Sequence, residues 1–257
     1  MRYAIIGVEG PHDQAFVGKV LKLLGFKDFR EELKGVESDL DPFWRKFIPV
    51  YPKKGNLYKR LDMPSILFTE SLSIAIYAGE GSNLVTNLDD ILLANSEYQT
   101  NLAAFGIVAD CDKSTPDRIV APYASKFRSC FPNFPVNPGV VDTNSPRTGI
   151  YVLPDNALPG VLDTLLCECG QIAYPAYMEK ASSYLNKFSE SDIKILKWKK
   201  FDRQKALVAT VVSLLKPGKT NTTSIADNNW VSEQTQQEVP ALANFIKFLM
   251  ELLELSS

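Results

Sequence analysis

The stretch "YAIIGVEGPHDQAFVGKVLKLLGF", residues 3–26, decides how the chain begins to fold. Residues 2–8 form a short apolar run of strand type. Phe16, Val17, Val20, Leu21 and Leu24 then recur at helical spacing over residues 14–24, and Gly25 supplies the stop. The unit is strand, tight loop, helix. Its loop places a carboxylate, Glu9, directly after the apolar run and directly before the turn.

The same rhythm continues for about the first 155 residues. Two strands are expected at 66–69 and 73–77, joined by a short turn at Ser71 and Leu72, so this pair is antiparallel. A helix follows from about 88 to 104, with Thr86 or Asn87 as its cap. A buried-type strand at 106–109 ends in Asp110-Cys111-Asp112, and Ser114-Thr115-Pro116 opens the next helix, through Tyr123 and Phe127. A last strand at 149–153 is closed by Pro154, Asp155 and Asn156. Beyond it the patterns are helical, at 160–169, 175–188, 203–215 and 239–255, with one polar loop-rich stretch at 216–229.

Strands alternating with helices imply parallel neighbours, because only crossover connections fit between them. The expected fold class is α/β, a mostly parallel open sheet flanked by helices, with a helical C-terminal region. Residues 27–63 break the pattern with Pro42, Pro49 and Pro52 among mixed charges and with Phe43, Trp44, Tyr51 and Tyr58. They read as an insertion whose aromatic residues need a surface to cover.

The chain has 257 residues, 45% of them hydrophobic, enough for one large core or a core with a small appended part. Lys and Arg total 28 against 30 Asp and Glu, a formal net charge of −2, so any nucleic-acid contact must come from a local basic patch. Cys111, Cys130, Cys167 and Cys169 lack the spacing of a structural zinc site and read as free thiols. There is no secretory signal pattern at the N-terminus, and no apolar run approaches the ~20 residues needed to cross a bilayer. The expected setting is soluble, reducing and cytoplasmic, away from the membrane.

In an open α/β sheet, ligands gather outside the carboxyl ends of the strands. Glu9, the pair Asp110 and Asp112, and Asp155 fall at such ends. Asp110 and Asp112 are two apart, so in an extended segment both point the same way and can share one hard cation. The single histidine, His12, excludes a multi-histidine zinc site and favours oxygen-ligated Mg²⁺ or Mn²⁺. His12 itself reads as an exposed turn residue or, beside such a metal, as an acid.

The combination of Val8-Glu9-Gly10 in one strand-loop-helix unit with Asp110-Cys111-Asp112 at a later strand end resembles the TOPRIM domain. That metal-binding α/β module is shared by topoisomerases, bacterial primases, recombination-repair proteins and the nucleases of the overcoming-lysogenisation-defect group. Asp13, four positions after Glu9, and Asp163 match further acidic positions of the nuclease branch, although Asp163 stands where Glu is usual. The resemblance implies a TOPRIM-like domain over residues 1–165, with the insertion at about 27–63, and a helical region over 166–257 packed on it. It implies Glu9 as metal ligand or general base, Asp110 and Asp112 as the main Mg²⁺ ligands, and Asp13 and Asp163 as ligands of a second metal. Read from the residues alone, Asp13 is equally a helix N-cap and Asp163 an acidic residue of a helix first turn.

Residues 194–205, "KILKWKKFDRQK", carry six basic side chains, Lys194, Lys197, Lys199, Lys200, Arg203 and Lys205, around Trp198 and Phe201. The stretch reads either as a solvated face with both aromatics turned into the core or as a surface for phosphates and bases. A second basic patch at 53–60, near Tyr51 and Tyr58, would frame a groove. Gly218-Lys219-Thr220 lacks the earlier glycine of a phosphate loop, Ser213 standing in its place, so any ATPase would be a partner supplied in trans.

The function expected from these features is a Mg²⁺-dependent phosphodiester-cleaving enzyme, a nuclease acting on DNA or RNA in defence or processing. The alternative is a non-catalytic TOPRIM-like module that binds a phosphate, a nucleotide or a partner protein. A phosphotransferase built on Asp110 and Asp112 ranks last, because no glycine loop cradles a phosphate.

Overall fold

The computed structural model describes residues 1–29, 41–46 and 64–255. Most of the expected insertion, including the basic patch at 53–60 with Tyr51 and Tyr58, lies outside the described residues.

The strand-loop-helix unit forms as β1 (Arg2–Val8) and α1 (Pro11–Leu23). After β2 (Lys27–Asp28) and a 3-10 turn at Pro42–Lys46 come β3 (Ser65–Phe68) and β4 (Leu72–Ala78). Helices α2 (Leu84–Ala94) and α3 (Ser96–Asn101) lead to β5 (Ala104–Asp110), and α4 (Pro116–Phe127) to β6 (Val141–Asp142) and β7 (Arg147–Leu153). The rest is helical: α5 (Leu162–Ala173), α6 (Pro175–Leu185), α7 (Glu190–Ile195), α8 (Asp202–Leu215), α9 (Asn221–Asp227), α10 (Glu233–Glu238) and α11 (Pro240–Leu253).

Seven strands make one sheet in the order β2-β3-β4-β1-β5-β7-β6. The central pairs β4·β1, β1·β5 and β5·β7 are parallel, and the outer pairs β2·β3, β3·β4 and β6·β7 antiparallel. Side chains of the central strands alternate between two apolar layers. Ala4, Ile6, Val8, Ala104 and Val108 enter one layer, Ile5, Phe105, Ile107 and Ala109 the other. The first layer is covered by α1 and the C-terminal helices, the second by α2, α3 and α4.

Two local expectations give way to the structure. The helix expected over 88–104 begins at Leu84 and is two helices, broken at Asn95, whose extended backbone ends one helix while its side chain accepts the Glu97 N–H to start the next. Residues 102 onward then turn into β5. The polar stretch 216–229 contains α9, and Thr220 of Gly218-Lys219-Thr220 is its N-cap, accepting the Thr223 N–H at 3.3 Å. The short edge strands β2 and β6 carry too few residues to show a period-2 pattern. Two aromatics of the expected insertion do cover a surface: Trp44 is fully buried and donates from its indole to Ser73 Oγ at 2.8 Å, and Phe43 stacks on Tyr3 with ring centroids 3.8 Å apart.

The last helix closes the first layer over the sheet centre. Gly106 and Gly149 are register partners on β5 and β7, and above them lie Leu252 and Phe248 of α11. A Cβ at Gly106 would stand 2.5 Å from Leu252 Cδ2, and one at Gly149 would stand 2.9 Å from Phe248 Cε2. Glycine here permits close approach of helix and sheet. At the C-terminal end of α11, Arg2 donates to the Leu253 carbonyl and Arg147 to the Glu251 carbonyl, while both guanidinium groups pair with Glu254. Among the described residues no helix is long and apolar enough to cross a membrane.

Gly106→Ala should therefore lower stability by about 1–3 kcal/mol through overpacking against Leu252, read as a lower urea midpoint with an unchanged slope. Equal midpoints for the variant and the parent would refute this account of α11 docking.

Candidate metal centre

The parallel register of β1 and β5 sets Val8 beside Val108, so Glu9 leaves its strand one residue short of Asp110. The two meet directly: Glu9 Oε1 accepts the Asp110 N–H at 3.1 Å. Asp110 Oδ1 in turn accepts the Leu162 N–H at 2.8 Å, from the start of α5. A carboxylate at a helix N-terminus is favoured by the helix dipole and satisfies a free amide. Asp13, in the first turn of α1, reaches back to the Gly10 N–H at 2.9 Å. It is buried at 8% exposure, so its capping bond is made in a dry environment.

Within this site the carboxyl groups bear on one another's protons. Burial pushes the Asp110 carboxyl up to about 9, helped by the negative charges of Asp13, Glu9 and Asp112 and opposed by the Leu162 amide. Asp13 is pushed up to about 7 by burial, Glu9 and Asp163, against the Gly10 amide. Glu9 is raised by burial and by Asp112, with the Asp110 amide and the Lys205 charge pulling the other way. Asp163, in the first turn of α5, is raised by burial, while His12 and Lys205 lower it. Crowding like charges in a desolvated site holds protons on carboxylates at pH values where free ones have lost them.

Asp112 departs from the expected arrangement. The strand ends at Asp110, Cys111 is buried, and Asp112 is exposed with a left-handed backbone, φ 51°. Alternation along an extended segment therefore does not aim it with Asp110. The Asp112 N–H donates to the Gly160 carbonyl at 2.7 Å, and its charge still reaches Glu9 and Asp110. Asp155 serves a turn, accepting the Ala157 and Leu158 amides at 3.0 and 2.8 Å.

The basic stretch divides. Phe201 is buried and Trp198 half-buried, as the solvated-face reading has it, while Lys194, Lys197, Lys199 and Lys200 are exposed. Arg203 is half-buried and donates to the Asn186 side chain. Lys205, on α8, is the member whose charge bears on Glu9 and Asp163. Sequence reasoning missed Tyr123, a buried residue of α4 whose phenol is raised by burial and by Glu9, Asp110 and Asp13. Its only sequence signal was a place on the helix that follows the Asp110 loop.

All of these acidic donors are hard carboxylate oxygens, chemically suited to Mg²⁺ or Mn²⁺, which would relieve their mutual repulsion. Among the described residues no three such side chains stand already arranged to hold a metal ion. Glu9, Asp13 and Asp110 each commit one oxygen to a backbone amide.

Residues 3–254 match the family DUF3226, described as proteins of unknown function. The chain belongs to this family. A comparison with curated proteins found no match. Among solved structures, this DUF3226 chain is similar to the crystal structure of a hypothetical protein, PH0156, from Pyrococcus horikoshii OT3, at 18% identity and TM-score 0.52, with 98% of this chain and 95% of that one covered. At that identity the likeness concerns the fold, a mostly parallel mixed sheet flanked by helices.

The raised carboxyls fix how stability depends on pH. An unfolded chain releases the Asp13 and Asp110 protons near the ordinary carboxylate value of ~4. The folded chain keeps them to about 7 and about 9. Between these limits the folded state binds more protons, so stability falls as pH rises and the full penalty is present only above the higher value. In EDTA the urea midpoint should drop across that window, and Asp110→Asn, which keeps the Leu162 bond, should remove a large share of the drop. A midpoint independent of pH in the parent protein would contradict the crowded site.

Proposed function

We propose that this chain is a Mg²⁺- or Mn²⁺-dependent phosphodiester-cleaving enzyme of the TOPRIM type, a nuclease acting on DNA or RNA in nucleic-acid defence or processing. The observation that carries the reading is the meeting of carboxylates at the carboxyl ends of β1 and β5, where Glu9 accepts the Asp110 N–H at 3.1 Å, Asp110 accepts the Leu162 N–H at 2.8 Å, and buried Asp13 caps the adjacent start of α1. In this reading Glu9, Asp110 and Asp112 do the chemistry, and Asp13 and Asp163 complete a second cation site. Bound there, the metal would activate water and neutralise charge on the phosphate.

The chain's own groups have separable tasks. The Asp110 amide fixes Glu9 through Oε1, which leaves Oε2 to take a proton from the attacking water. The Leu162 amide holds Asp110 in place through Oδ1 and leaves Oδ2 for the cation. Lys205 brings positive charge beside Glu9 and Asp163, where a phosphate oxygen would need it. The four cysteines, all free thiols, support a reducing cytoplasmic setting.

One observation favours the second reading, a module that binds a phosphate, nucleotide or partner without cutting. Three carboxylates are already engaged by backbone amides, and no ready group of three metal donors stands among the described residues.

Cleavage of labelled DNA and RNA with Mg²⁺ or Mn²⁺ separates the two. Glu9→Gln should slow cleavage about 10²–10⁴-fold, the usual contribution of a positioned acid or base. Activity that survives Asp110→Ala combined with Asp112→Ala would remove this site from consideration. Metal binding with no turnover of either nucleic acid would leave the binding module.

A further inference from the structure

We propose that the connection from α6 to α8 is a docking surface for single-stranded nucleic acid, leading the strand to the carboxylate site; this rests on the phosphodiesterase reading and gives it a substrate form. The aromatic residues of the surface are not those within the basic stretch. Phe201 is buried, whereas Tyr184 on α6 and Phe188 just beyond it are 53% and 41% exposed. Their rings meet edge to face with centroids 5.3 Å apart. Both are exposed enough to be touched from solvent, and bases freed from a duplex stack on such rings.

Charge supplies the complement. Residues 184–205 hold seven Lys or Arg against three Asp or Glu, in a chain whose net charge is −2. Two of those three acids are turned onto backbone amides: Asp192 accepts the Ser189 N–H at 2.8 Å, and Asp202 the Lys199 N–H at 2.7 Å. Lys194, Lys197, Lys199 and Lys200 are exposed and make no ion pair among the described residues. Unpaired lysines beside open rings suit a polyanion with exposed bases.

Two links make the surface continuous. The bond from Arg203 to the Asn186 side chain ties the start of α8 to the end of α6, two residues from Phe188. At the other end α8 lies against α5, with Cys167 Sγ 3.9 Å from the Gln204 carbonyl, and α5 begins at the Leu162 amide that holds Asp110 at 2.8 Å. A strand laid from Tyr184 past the lysines would thus run onto α8, beside the helix whose first amide holds Asp110. Ile195 and Leu196, 77% and 60% exposed among the same lysines, are what an anionic lipid surface would use, whereas the exposed ring pair of Tyr184 and Phe188 favours a strand with unpaired bases.

Fluorescence anisotropy in EDTA, with short labelled single-stranded DNA, single-stranded RNA and duplex, measures binding without turnover. Either single strand should bind at least about tenfold more tightly than duplex, because only unpaired bases can stack. Replacing Lys197, Lys199 and Lys200 together by Ala should reduce the slope of log affinity against log salt by about 2. Tyr184→Ala with Phe188→Ala should weaken binding about tenfold or more and leave that slope unchanged. Equal affinity for duplex, indifference to both variants, or binding to phosphatidylserine vesicles in place of oligonucleotides would each overturn the proposal. Strand binding by a protein that never cleaves would retain the surface and remove the phosphodiesterase. Cleavage of single strands that both variants leave unchanged would do the reverse.

Discussion

The parallel pairing of β1 with β5 is the constraint on which the rest of the molecule depends. Val8 beside Val108 is one register, and a slip by one residue would turn every inward side chain of β1 to the opposite layer. Because both layers are apolar and filled, the register is strongly held. It sets the end of β1 against the end of β5, so that Glu9 can accept the Asp110 amide. A hydrophobic requirement deep in the sheet thus fixes a polar contact at its edge.

The cost of that contact appears as charge. Carboxylates that would each be solvated on an isolated loop are brought together where water is scarce, and their protons are held to higher pH. Backbone amides at the starts of α1 and α5 offset part of this cost, and Lys205 and His12 another part. The site combines stored repulsion with a fixed geometry.

Much of the architecture was legible along the chain because each strand and helix carries its own period. The run before Glu9, the hairpin at β3 and β4, and the amphipathic helices were readable for that reason. The break at Asn95, the short edge strands and the cap at Thr220 were not, since a single residue's backbone or a two-residue pairing leaves no periodic trace. The same limit applied at the site. Asp110 and Asp112 looked equivalent while the segment was taken as extended, but the turn at Cys111 gives Asp112 a left-handed backbone.

The sequence by itself determined the α/β class, the places where strands stop, and the presence of carboxylates at those stops, because these follow from local period and turn chemistry. Only the tertiary structure decided which of those carboxylates face one another, that Lys205 and Tyr123 join them, and that the open aromatic rings lie on and just beyond α6 and not within the basic stretch. Those outcomes depend on residues about a hundred positions apart or more, as with Glu9 and Asp110. Local sequence carries no record of distance across a fold.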